Sequence, residues 1–148
     1  MANIKEFMTK DHRDCDDTFA AMEQKAHSES VTAAKSLYEQ MVEEMEHHFQ
    51  MEERVLFPTF EEKTGMTQGP TQMMRMEHSQ MRQLIKEIGE AVENDDKERF
   101  FGLTETMMIM LQQHNMKEEQ MLYTMVQQHL DAETDQIIMM MESMITEK

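Results

Sequence analysis

The chain has no tryptophan, one cysteine, two prolines and four glycines among its 148 residues. Its single cysteine, Cys15, rules out an intrachain disulfide and fits a reducing compartment. So few prolines and glycines leave few places where a helix must stop, and alternating β-branched runs are scarce. No charge-free apolar run is long enough for a bilayer, and no apolar targeting segment opens the chain. The expectation is a cytoplasmic protein with no membrane partner. Positive charge is also short, with 14 Lys and Arg against 30 Asp and Glu and a formal net charge of −16. Such acidity repels phosphate, which argues against nucleic acid and against an anionic membrane surface. It leaves cations as partners.

Methionine is in excess, with 21 in the chain. Met is a good helix former and fills irregular cores, while its soft thioether would also suit copper(I). Most of these methionines fall at core spacing, which favours core filling over soft-metal storage. Methionine oxidation is reversible, a property useful to a protein that meets peroxide.

The length suits one domain, residues 1–148. Breakers divide it. Pro58, Gly65, Gly69 and Pro70 cluster in PTFEEKTGMTQGP, and AHSES, ENDD and LDAE mark three further breaks. The pattern predicts four long helices, about 3–26, 29–57, 71–93 and 97–129, and a shorter one near 133–146. The tail sequence DQIIMMMESMI is apolar enough to dock on the other helices or to meet a partner, a second copy of the chain included.

Helical phase gives each long segment one inward stripe. The first reads Met8, His12, Cys15, Phe19, Met22, Ala26. The second reads Ala34, Leu37, Met41, Met45, His48, Glu52, Val55. The third reads Met74, His78, Met81, Ile85, Ile88, Val92, and the fourth Thr104, Met107, Leu111, His114, Glu118, Met121, Met125. Each stripe is apolar except at one level, where a histidine or a His-x-x-x-Glu pair stands. Unpaired polar groups are costly there.

The chain also repeats itself. A gap of 36 residues separates His12 from His48 and His78 from His114. A gap of 66 relates His12 to His78, His48 to His114 and Glu52 to Glu118. Met8 and Met74, Glu53 and Glu119, Leu56 and Leu122, and Phe57 and Tyr123 share that offset. Two helical hairpins, about 3–57 and 71–129, each deliver His…His-x-x-x-Glu. Packed about a pseudo-two-fold axis, they predict an all-α, antiparallel up-down four-helix bundle with a short extra C-terminal helix.

Residues four apart lie above one another on a helix, so His48/Glu52 and His114/Glu118 can each reach a common point. Imidazole with carboxylate suits iron, with manganese or zinc as alternatives, and two carboxylates can bridge two cations. The competing arrangement is four core histidines hydrogen-bonded to two glutamates. Four histidines in register favour a metal site.

The segments DHRDC, HFQMEERVLFP, MEHSQMR and HNMKEEQMLY carry a resemblance over about residues 8–130 to the hemerythrin-like, or HHE cation-binding, proteins. Ferritin-like di-iron bundles use the opposite order, Glu-x-x-His. The resemblance implies two non-haem irons: His12 and His48 on one, His78 and His114 on the other, with Glu52 and Glu118 bridging. Oxygen-carrying hemerythrins have a fifth histidine where Met74 stands here. The implied site is therefore more symmetric and one ligand short, a place that water, Asp16, Glu23 or Tyr38 could fill. His27, His47 and His129 fall outside the stripes and read as surface residues. Cys15 reads as core, because its repeat mate is Met81.

Two functions follow. One is a di-iron protein that binds or reduces a small ligand such as O₂, NO or peroxide, with turnover and reversible binding both open. The other is a non-enzymatic metal-binding protein, for iron or oxygen sensing or for metal storage, that acts through a partner.

Overall fold

The side-chain oxygen of Asn3 accepts from the Glu6 N–H at 2.8 Å, which satisfies one free donor at the start of the first helix. In the computed structural model, which describes residues 3–147, helix α1 then runs Ile4–Ser28. A 3₁₀ turn, Thr32–Ala34, leads into α2, Lys35–Met51. The chain continues through a π turn, Glu52–Leu56, into α3, Phe57–Thr64, which stops at Gly65 with φ 73°. Such a left-handed residue is the usual place for glycine after a helix.

The second half repeats the plan. Helix α4 spans Pro70–Glu93, and Asp96 caps α5, Lys97–Lys117, by accepting from the Arg99 N–H at 3.1 Å. A second π turn, Glu118–Leu122, leads into α6, Tyr123–Leu130. A 3₁₀ turn leads into α7, Thr134–Glu142. Helix α1 packs on α2 and α6, α4 on α5, α2 on α4 and α3 on α6. This is the antiparallel four-helix bundle, with α2–α3 and α5–α6 each forming one continuous rod. Among the described residues no helix is long and apolar enough to cross a membrane.

The two π turns begin at Glu52 and Glu118, the repeat-related glutamates. The N–H of Phe57 donates to the Glu52 carbonyl, and that of Tyr123 to the Glu118 carbonyl. Each turn holds one residue more than an α turn, so the helical phase shifts beyond it. The expected inward stripe therefore fails after Glu118. Met121 is 64% exposed, while Leu122, Tyr123 and Val126 are buried. For the same reason Pro58 does not break the second rod, because the widened turn just before it has already interrupted the α-helical ladder.

The core lies in two apolar clusters with the His/Glu level between them. One contains Cys15, Phe19, Met45, Met81 and Leu111. The other contains Met8, Leu56, Phe57, Met74 and Leu122. Met8, Met22, Met41, Met45, Met74, Met81 and Met107 are all buried, in keeping with methionine as core filler. The tail docks on the second cluster through Ile137 and Met141, and the Gln50 side-chain amide donates to the Glu147 carbonyl at 2.6 Å.

Candidate metal centre

Four helices each bring one histidine to a single level: His12 from α1, His48 from α2, His78 from α4 and His114 from α5. All four are buried, and Glu52 and Glu118 are at 0% exposure. The six expected residues thus meet. They form two groups whose ligand atoms lie within 4.8 Å of one another, Glu52/His78/His114/Glu118 and His12/His48/Glu118. Glu118 belongs to both.

The Nε2 atoms face inward. His12 Nε2 is 2.9 Å and His114 Nε2 3.2 Å from Glu118 Oε1. His78 Nε2 is 3.1 Å and His48 Nε2 3.4 Å from Glu52 Oε1. Several of these approaches are close without being hydrogen bonds. Among the described residues, Glu52 Oε1, His78 Nε2, His114 Nε2 and Glu118 Oε2 are buried without a hydrogen-bond partner. Orphaned polar atoms cost free energy in an apolar interior. These four converge on one region, and a cation there would satisfy them together. The donor set fits hard or borderline divalent metals.

Each histidine is held from behind by a carboxylate on a different helical segment. His48 Nδ1 lies 2.6 Å from Asp11, His12 Nδ1 2.7 Å from Glu119, His78 Nδ1 2.6 Å from Glu53 and His114 Nδ1 2.7 Å from Glu77. An ionised carboxylate only accepts, so each Nδ1 carries the proton and each Nε2 is left for the centre. Asp11 and Glu77 share the 66-residue offset, as do Glu53 and Glu119. On sequence alone Glu53 and Glu119 stand out only as repeat mates, and none of the four carries a role. The outer groups are fixed in turn: Arg82 donates to Glu53 and Glu46 and lies over the Phe49 ring, which stacks on His78 at 4.3 Å.

Charge follows this arrangement. Burial would lower the His78 pKa, but Glu52 and Glu53 outweigh it and raise it to about 9. Burial likewise opposes charge on His48, and Glu52 and Asp11 nonetheless hold its pKa well above the usual imidazole range. Burial would raise the Glu118 pKa, yet His114 and His12 hold it well below the usual carboxylate range. Glu53 is pulled down to about 2, against burial, by His78 and Arg82. The neighbouring carboxylates thus favour the charged form of His12, His48 and His78.

Tyr123 joins the centre unexpectedly. Its hydroxyl lies 2.9 Å from Glu52 Oε2 and 3.0 Å from Glu118 Oε1, and can donate to only one at a time. Burial and the two carboxylates keep it a phenol in the metal-free protein. Sequence pairing of Tyr123 with Phe57 marked an apolar position. Only the extra oxygen of Tyr123 hinted at more.

Of the groups considered for the vacant ligand place, Tyr38 donates instead to the Ile85 carbonyl at 2.8 Å. Among the described residues, neither Asp16 nor Glu23 belongs to the two clusters. Met74 is buried in the second apolar cluster. His47 faces the Met144 carbonyl, His27 packs on Phe101 and His129 meets the Phe60 edge, all away from the centre. Cys15 is buried, which pushes its thiol up to about 12. It lines, with His12, His48 and Asn115, a small cavity beside the centre of about 10 Å³, room for roughly one water-sized molecule.

The chain matches the family model described as the hemerythrin HHE cation binding domain over residues 3–126. That is most of the chain, and the protein belongs to this family. No curated protein and no solved structure matches it. Membership implies metal binding, and the buried His/Glu cluster could hold the metal.

Proposed function

We propose that this member of the hemerythrin HHE cation-binding family is a non-haem di-iron protein that binds or reduces O₂, NO or peroxide. The observation that carries the reading is the sharing of Glu118 between two buried ligand groups, the arrangement a carboxylate bridging two ions requires. In this reading His12 and His48 would hold one ion and His78 and His114 the other, with Glu52 and Glu118 supplying the carboxylates between them. Imidazole with carboxylate favours iron over softer metals, with manganese or zinc as lesser fits. Bound iron would supply the electrons and the open coordination position for a small ligand.

The chain's own residues do the rest. Asp11, Glu53, Glu77 and Glu119 fix the imidazoles with Nε2 inward. The apolar clusters above and below keep water out, which strengthens every electrostatic contact inside. The small cavity at His12 and His48 limits the ligand to a few atoms. The lone thiol of Cys15 suits a cytoplasmic setting.

Absorption spectra of reduced, iron-loaded protein with O₂, NO and peroxide test this. Wild-type protein should change with at least one ligand. Glu118→Ala should lose the change while helical circular dichroism persists. A wild-type spectrum unmoved by all three ligands would overturn the reading. The second reading, sensing or storage through a partner or a second copy, draws on the exposed Met139, Met140 and Ile145 of the tail. It requires Met140→Ser to alter assembly while leaving the spectra alone.

A further inference from the structure

The two halves of the centre are unequal, and the difference is one oxygen. Phe57, the repeat mate of Tyr123, places its ring 5.9 Å from that of His78 and offers no donor. Tyr123 places its ring 5.6 Å from that of His12 and its hydroxyl among the inward atoms. It is fully buried. The second π turn aims it there. On an ordinary α-helix a residue five beyond Glu118 would point roughly 140° away, whereas the π turn brings it toward the same face.

Distances give the hydroxyl a role. Tyr123 Oη is 3.2 Å from His12 Nε2 and 3.0 Å from Glu118 Oε1, and those two are 2.9 Å apart. Neighbouring ligands on an octahedral ion with bonds of about 2.1 Å are about 3.0 Å from one another. The three atoms therefore have the spacing of one octahedral face. His48 Nε2, at 3.4 Å from Oη and 3.8 Å from Glu118 Oε1, stands next to that face. On the other side, no described residue gives His78 Nε2 or His114 Nε2 such a companion.

We propose that Tyr123 Oη is a protein ligand of the ion held by His12 and His48, which makes the two ions of the pair inequivalent. This rests on the two-iron reading above. It gives that ion a further ligand from the start of α6, whereas the Met74 position on α4 lies one turn before His78, beside the other ion. Binding exchanges the phenolic proton for the ion, and the proton leaves to solvent. Ferric iron is the natural partner, because a hard cation prefers a phenolate oxygen to a thioether.

The test is resonance Raman and visible absorption of ferric-loaded protein, with iron counted per chain in each sample. The chain has two tyrosines, so assignment is direct. Wild-type protein should hold about two irons and show a tyrosinate-to-iron charge-transfer band with tyrosine ring modes. Tyr123→Phe should retain iron and lose the band completely, and Tyr38→Phe should keep it. Should Tyr123→Phe fail to fold, a band surviving in Tyr38→Phe still assigns Tyr123. Two irons per chain with no tyrosinate modes would overturn this inference and leave the parent reading standing. No bound iron in wild-type protein would overturn both.

Discussion

At the scale of single residues, the centre depends on groups that never touch an ion. Asp11, Glu53, Glu77 and Glu119 each accept from the Nδ1–H of a histidine on another helical segment. Partners of this kind fix the ring and raise its basicity as a ligand, and losing one costs about 10–100-fold in metal affinity. Glu53→Gln should weaken iron binding by that order in a chelator competition titration. An affinity equal to wild type would show that His78 is oriented by packing on Phe49 alone. The same pair sets a pH window for the metal-free protein. His78 titrates near 9 rather than 6.5, so its stabilising effect is complete below pH 6.5 and is lost as pH rises through 9. Glu53 titrates near 2 rather than 4.5, so its effect is present above pH 4.5 and is lost as pH falls through 2. Melting temperatures of metal-free protein should therefore be highest between about pH 4.5 and 6.5 and fall toward pH 9. A melting temperature that climbs from pH 6.5 to 9 would contradict the raised histidine.

At the scale of elements, the close approach of α2 and α4 depends on Gly89. A Cβ built there would meet the Tyr38 ring, with Cζ at 2.7 Å, and that ring is tied to α4 through the Ile85 carbonyl. Alanine normally favours a helix over glycine by about 1 kcal/mol, but overpacking costs about 1–3 kcal/mol. The clash should win. Gly89→Ala should lower the denaturation midpoint, and adding Tyr38→Ala should remove the clash penalty that Gly89→Ala imposes on its own. A Gly89→Ala protein more stable than wild type would mean the helices separate freely. Helices and ligands differ in how far sequence reveals them. His12, His48, His78, His114, Glu52 and Glu118 were legible because phase and a 66-residue repeat both pointed at them. The π turns were not, since nothing in EERVL or EEQML marks an extra residue. That hidden shift carried Met121 to the surface and Tyr123 to the centre. The supporting carboxylates were hidden for another reason: each serves a histidine across a helix boundary, which the phase of one helix does not show.

At the scale of the whole molecule, an acidic bundle holds its charged level between two apolar clusters. Glu52 and Glu118 stand buried beside four imidazoles, and among the described residues four of the inward atoms lack hydrogen-bond partners. Ions that bind only the folded chain stabilise it by linkage. Chelation should lower the melting temperature at neutral pH by several degrees, and restored iron should reverse the loss. Equal melting of the two forms would show that the core needs no metal. The most direct measurement is an anaerobic ferrous titration of metal-free protein, read as ions bound per chain. Wild-type protein should saturate at about two, and Glu52→Ala combined with Glu118→Ala should abolish tight binding while circular dichroism stays helical. Saturation at zero in wild type, or tight binding that survives the loss of both glutamates, would contradict a metal pair at the centre of the bundle.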